Sequence, residues 1–143
     1  TDPKMTRFNI SLSEGVEMVL HALENAWGGE IFVPKIPSYK IADVARAIGP
    51  DCKHEIVGVR PGEKIHEEMI TESDSFTTYD LGKYYVILPQ VPLFDTNDFI
   101  AHFSAHKVKE NFSYNSGKND DVLSVDEIKS LIKKNVDPNF NIG

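Results

Sequence analysis

Apolar positions recur along the chain first at helical spacing and then at strand spacing. Ser11-Leu12-Ser13-Glu14 has the form of a capping box, a serine followed three residues later by glutamate. After it, Val16, Val19, Leu20, Leu23 and Trp27 keep one stripe three and four residues apart. A helix is predicted there with the stripe turned into the core, ended by Gly28-Gly29. Glu30-Ile31-Phe32-Val33 reads as a short buried strand closed by Pro34. A second helix, with Ser38 as its N-cap, carries Ile41, Val44, Ala45 and Ile48 on one face and stops at Gly49-Pro50. Ile56-Val57-Gly58-Val59 is β-branched and apolar and reads as a buried strand, with a short helix over Ile65 to Ile70 after it. Helix, strand, helix, strand, helix points to an α/β or α+β arrangement.

Further on, Thr71 to Ser75 is polar loop. Phe76 to Tyr79 and Tyr84 to Leu88 alternate at strand spacing around Asp80-Leu81-Gly82-Lys83, which predicts a hairpin. Asp95 to Lys109 is weakly helical, and the Asn/Ser/Gly/Asp-rich run from Asn111 to Asp121 reads as an exposed loop. A second capping box, Ser124 to Glu127, opens a last helix with Ile128, Leu131 and Ile132 facing inward.

Composition narrows the function classes. The 143 residues suffice for a real core. A formal net charge of −7 argues against a general binder of nucleic acid or of anionic membranes. Arg7, Arg46 and Arg60 are the arginines, so an anionic ligand must be met by a local site rather than a basic face. No apolar run approaches the ~20 residues of a membrane span. Cys52 stands alone and the first residues lack signal-peptide character, so a cytoplasmic location is expected.

The candidate chemistry is sparse. His102 and His106 are four apart, but no third ligand accompanies them and no metal site is expected. No glycine-rich dinucleotide loop or P-loop occurs. What remains is Arg60-Pro61-Gly62-Glu63, where an arginine fork and a carboxylate stand three residues apart on a stiffened turn, together with Arg7, just before the first helix. Two arginines brought together can clamp a diphosphate. Alternatively, each pairs with a carboxylate of this acidic chain, and spacing alone leaves both readings open.

Three stretches together carry a resemblance. Met5-Thr6-Arg7-Phe8, Gly28-Gly29-Glu30-Ile31-Phe32-Val33-Pro34-Lys35-Ile36-Pro37-Ser38 and Arg60-Pro61-Gly62-Glu63-Lys64-Ile65-His66-Glu67 resemble the C-terminal part of the nucleotide-sugar-modifying extended short-chain dehydrogenase/reductases. Within that group they look most like the inverting UDP-N-acetylglucosamine 4,6-dehydratases that begin pseudaminic acid synthesis. Tyr114-Asn115-Ser116-Gly117 with Leu123-Ser124-Val125 is similar to the group's C-terminal tail.

The resemblance implies an α/β fold, the substrate-binding portion of a Rossmann-type enzyme. Residues 1–89 would form a sugar-nucleotide-binding lobe, and residues 90–143 an extension with a loop and the last helix. It implies that Arg7 and Arg60 bind the substrate diphosphate and Glu63 the ribose of the uridine, with Thr6 and Met5 lining the pocket. The NAD(P)-binding Rossmann domain and the catalytic Tyr, Lys and acid of the family are expected outside this chain. The implied chemistry of the whole enzyme is C4 oxidation by NADP, loss of water across C5–C6 with inversion at C5, and hydride return to C6. The implied partners are a UDP-sugar, the enzyme's own Rossmann domain and further copies in a homo-oligomer. A UDP-N-acetylglucosamine 4-epimerase or a non-inverting dehydratase shares the same framework. From another class, a non-catalytic interaction or oligomerisation module would use the aromatic-rich stretch from Phe94 to Tyr114.

Overall fold

A computed structural model describes residues 1–140. In chain order the elements are β1 (Thr6–Phe8), α1 (Leu12–Asn25), β2 (Ile31–Pro34), β3 (Ser38–Lys40), α2 (Ile41–Ile48) and β4 (Glu68–Ile70). A 3₁₀ turn (Glu72–Thr77) follows, then β5 (Thr78–Asp80), β6 (Tyr84–Ile87), α3 (Thr96–His102), β7 (His106–Lys107), β8 (Tyr114–Asn115) and α4 (Val125–Asn135). The chain divides into two compact units that interleave in sequence.

The first unit holds Thr1–Ser11, Ile36–Glu67 and the chain from Asn115 onward. Strand β1 pairs antiparallel with β3, Arg7 opposite Tyr39. Ser38, expected as an N-cap, is instead a buried strand residue. Its N–H donates to the Asp121 carbonyl at 2.9 Å, and its own carbonyl accepts from the Leu123 N–H at 2.8 Å. The Asn-rich stretch is therefore tied to the strand rather than left as a free loop, and Ser116 within it is buried. Helix α2 packs on α4, where Ala47 and Ile128 are buried.

Two expected elements are absent from this unit. Ile56 to Val59 forms no strand, and Ile56 and Val57 are 68% and 70% exposed. No strand among the described residues pairs with the run, so its β-branched composition has no ladder to stabilise it. The helix expected after Lys64 is also missing, since Glu68–Ile70 is strand and the residues before it are irregular.

The second unit holds Leu12–Lys35 and Glu68–Tyr114. Its sheet runs β2-β6-β5-β7, with every pairing antiparallel. The predicted hairpin forms, closed by the Leu81 N–H on the Tyr84 carbonyl at 2.8 Å. Alternation along β6 buries Tyr84, Val86 and Leu88 on one face. The core joins Phe32, Val86, Leu88 and Phe99, with Phe94 and Phe103 packed against it. Trp27 lies edge-on to Phe94 and Phe99, at 5.5 and 5.3 Å between centroids. The aromatic stretch from Phe94 is thus core of this unit.

Helix α1 forms, but rotated from expectation. Its stripe of Val16, Val19, Leu20 and Leu23 is exposed, and the helix contains no buried residue. The inward contacts come from Ala22, on the core cluster, and from His21, stacked on Tyr84 at 4.4 Å. Hydrophobic periodicity located the helix correctly, and Trp27 at the end of the stripe packs, but Val16, Val19, Leu20 and Leu23 are each more than half exposed.

Two capping boxes close helix starts. At α4, Glu127 Oε2 accepts from the Ser124 hydroxyl at 2.6 Å and from its N–H at 2.8 Å. The hydroxyl first, and the N–H second, hold the Glu127 carboxyl below its ordinary range. Asp74 is lowered in the same way by the Thr71 hydroxyl, at 2.6 Å, and then by the Thr71 N–H. Thr71 to Ser75, expected as loop, is thereby a capped 3₁₀ turn.

A depressed folded-state carboxyl contributes stability above its unfolded pKa and loses it as pH falls through the folded one. An NMR pH titration is therefore expected to place the Glu127 and Asp74 carboxyls below free carboxylates. On acidification, amide protection at the start of α4 is expected to decline through that same window, and Glu127→Gln to remove this dependence. In the second unit, Phe99→Ala is expected to cost about 3–5 kcal/mol by Trp27-monitored denaturation. Leu23→Ala on the exposed face is expected to stay within about 0.5 kcal/mol.

Candidate functional site

Met5-Thr6-Arg7 runs along β1 into a junction of three chain segments. Thr6 donates its N–H to the Ile65 carbonyl at 2.9 Å, joining the loop after Arg60 to the strand. The third segment is Asn115-Ser116-Gly117. Ser116 is buried, and its hydroxyl lies 2.7 Å from Thr6 Oγ1, which in turn lies 2.8 Å from His66 Nδ1. Ser116 Oγ also accepts the Glu67 N–H at 2.9 Å.

Each hydroxyl can donate once and accept from other neighbours, so Thr6 and Ser116 tie the three segments together whichever way their protons run. Gly117 lies against the His66 ring, and a Cβ there would fall 2.5 Å from His66 Nδ1, so no larger residue fits without displacing the histidine.

Around Arg7, Nη1 is hydrogen-bonded and the other two nitrogens face carboxylates. Nη1 donates to the Thr6 carbonyl at 2.6 Å and to the Ile65 carbonyl at 3.3 Å. Nε lies 3.5 Å from the Glu67 carboxylate, and Nη2 lies 3.7 Å from that of Glu63. The Arg7 side chain is 21% exposed, so its guanidinium edge reaches the surface between two carboxylates.

Arg60-Pro61-Gly62-Glu63 forms a tight turn. The Glu63 N–H donates to the Arg60 carbonyl at 3.0 Å, and Gly62 has φ +80°. Proline at the second position and a positive-φ glycine at the third are what a type II turn requires. The Glu63 carboxylate closes the turn a second time by accepting the Arg60 N–H at 3.2 Å. It therefore touches both the Arg60 backbone and the Arg7 guanidinium. The Arg60 side chain has no partner among the described residues. No helix starts directly after the turn, so Glu63 is held by this turn and by Arg7.

Of the sequence-derived candidates, Arg7 and Glu63 are in direct contact, and Arg60 is linked to them through Glu63. Met5 is fully buried, and Thr6 is buried with its hydroxyl engaged. Sequence reasoning missed Glu67, His66 and Ser116 as members of the cluster. The one available signal was their place inside the recognised stretches. Among the described residues, no group of three or more His, Cys, Asp or Glu side chains is arranged to hold a metal. A cavity of about 450 Å³ lies elsewhere, in the second unit, lined by His21, Tyr84, Leu81 and Phe103 among others. None of the candidate residues reaches it.

The profile of the family described as "Polysaccharide biosynthesis protein" matches residues 1–89, which hold every candidate residue named from the sequence. The UDP-N-acetylglucosamine 4,6-dehydratase (inverting) of Campylobacter jejuni subsp. jejuni serotype O:2 is 47% identical over 136 residues, covering 92% of this chain and 41% of that protein. The UDP-glucose 4-epimerase of Rickettsia canadensis is 42% identical over 91 residues, 61% of this chain and 27% of that protein. Among solved structures, Pen from Bacillus thuringiensis superposes with a TM-score of 0.74 at 27% identity, over 94% of this chain and 40% of that one. The chain thus spans less than half the length of these relatives. Its mixed α/β architecture is consistent with the C-terminal portion of an extended short-chain dehydrogenase/reductase, as the sequence led us to expect. By these matches, the chain belongs to the polysaccharide biosynthesis protein family.

Proposed function

We propose that this chain grips the UDP part of UDP-N-acetylglucosamine as the C-terminal portion of an NADP-dependent, C5-inverting 4,6-dehydratase, a lyase of bacterial nucleotide-sugar metabolism. The observation that carries the reading is the Glu63 carboxylate, which meets the Arg7 guanidinium on one side and the Arg60 backbone N–H on the other and so brings the Arg60 turn beside Arg7. In this reading Arg7 and the unpaired Arg60 side chain take the diphosphate, and Glu63 turns to the ribose. Met5 and Thr6 form the wall behind them. The 47% identity to an inverting dehydratase supports the substrate.

The residues present here bind and orient, and none is assigned to catalysis. The chain has no glycine-rich dinucleotide fingerprint, so no residue is assigned to NADP, and the cofactor and acid–base groups would belong to a Rossmann domain of the longer enzyme. The exposed stripe of α1 is the kind of face that such a domain or a second subunit would cover. A cytoplasmic location and a homo-oligomer accompany this reading. The likeness to a UDP-glucose 4-epimerase favours one further reading, an epimerase or a non-inverting dehydratase using the same UDP grip. An interaction module built on Phe94 to Tyr114 has less support, because Phe94, Phe99 and Phe103 are engaged within their own unit.

Isothermal titration of the chain with UDP tests the proposal. Charge-assisted contacts contribute about 1.5–3 kcal/mol each, so Arg60→Ala and Arg7→Ala are each expected to weaken binding about ten-fold or more. Affinity should also fall with added salt, and uridine should bind more weakly than UDP. UDP affinity unchanged by both substitutions would overturn it.

A further inference from the structure

The tail motif Tyr114-Asn115-Ser116-Gly117 has no part in the ligand grip described so far, yet it closes a ring of contacts around Arg7. Ser116 holds both backbone groups of Glu67: its hydroxyl accepts the Glu67 N–H at 2.9 Å, and its N–H donates to the Glu67 carbonyl at 2.8 Å. The Glu67 carboxylate faces Arg7 Nε at 3.5 Å. Arg7 is followed back along β1 to Thr6, whose hydroxyl returns to Ser116 at 2.7 Å. Arg7, Glu67, Ser116 and Thr6 therefore form a closed circuit.

The two carboxylates on Arg7 differ in how they are held. Glu67 is fixed through its backbone by a buried residue. Glu63 sits on an exposed turn and meets Nη2 at 3.7 Å. With Nη1 committed to two carbonyls, the Nη2 edge is where an incoming anion can land, and Glu63 is the group in its way.

We propose that Ser116 and Glu67 are positioning residues that aim the Arg7 guanidinium at an anionic diphosphate, and that Glu63 is the carboxylate the diphosphate displaces. The inference rests on the reading of Arg7 as a diphosphate ligand and adds a division of labour among its neighbours. Ser116 changes no charge in the site, so its effect on anion binding acts through the aim of Arg7 alone. Glu63 competes for the same edge and acts in the opposite sense.

Titration of the chain with inorganic pyrophosphate separates these roles. Ser116→Ala, which leaves every charge in place, is expected to weaken pyrophosphate binding about ten-fold. Glu67→Asp, which keeps the charge but shortens the reach, is expected to do the same, and its half-exposed position guards against loss of the fold. Glu63→Gln is expected to tighten binding several-fold. In an Arg7→Lys background, which lacks the Nε donor, Glu67→Asp is expected to have no further effect, a non-additivity that general destabilisation does not produce. If Arg7→Ala weakens pyrophosphate but Glu67→Asp and Ser116→Ala do not, the positioning roles are wrong and the diphosphate reading stands. If Glu63→Gln weakens pyrophosphate, the displacement role is wrong. If Arg7→Ala changes nothing, the diphosphate reading falls, and this inference with it.

Discussion

The buried hydrogen bond between Thr6 and Ser116 joins residues 110 positions apart and holds the candidate site together. Each hydroxyl serves two neighbours, so one pair of small side chains connects β1, the loop carrying Glu67 and the tail. Buried hydroxyls are costly when unpaired, and here both have partners. Neither residue announces such a role by its chemistry, since a threonine on a strand and a serine in a polar run are ordinary.

Where sequence patterning succeeded, local and tertiary signals agreed. The β5–β6 hairpin combined period-two alternation with a turn bearing Gly82, and its strands bury one face, as alternation requires. Helix α4 was bracketed by a capping box whose two reciprocal bonds both form. Ile56 to Val59 shows the opposite case. β-branched residues favour a strand only when another strand supplies hydrogen bonds and a surface to pack on, and among the described residues no strand pairs with this run. The α1 stripe failed differently: the helix is present, but its apolar face looks outward because His21 and Ala22 make the contacts to the sheet. Periodicity reports which face is apolar, not what will cover it.

The site was legible to the extent that its parts lay within short stretches. Arg60-Pro61-Gly62-Glu63 could be read as a turn because proline and glycine constrain it directly, and the fold adds only the closure by Glu63. Arg7 could be named but not placed, since its link to Glu63 depends on β1 meeting the loop through the Thr6–Ile65 bond. Ser38 was misread for a related reason. Serine before a helical pattern is a good N-cap, but here its backbone is engaged by residues 121–123, a pairing that no local rule contains. Contacts made at long sequence separation were the ones missed.

A chain of net charge −7 has to build any anion site against its own field. In the proposed grip, Arg7 is balanced by two carboxylates held in different ways, Glu67 through its backbone and Glu63 on an exposed turn. An ion pair between half-exposed groups such as Arg7 and Glu63 is worth only about 0–1 kcal/mol, because water competes for both partners. A diphosphate offers more charge and paired oxygens that match the guanidinium fork, so it can replace Glu63 at small cost. In the same proposal, Glu63 faces the arginine edge at 3.7 Å until an anion arrives, and Glu67 keeps its direction. In the proposed grip the Pro-Gly turn matters because it sets the Arg60 backbone against the carboxylate that would yield, and a turn already formed would leave little further ordering to be done on binding.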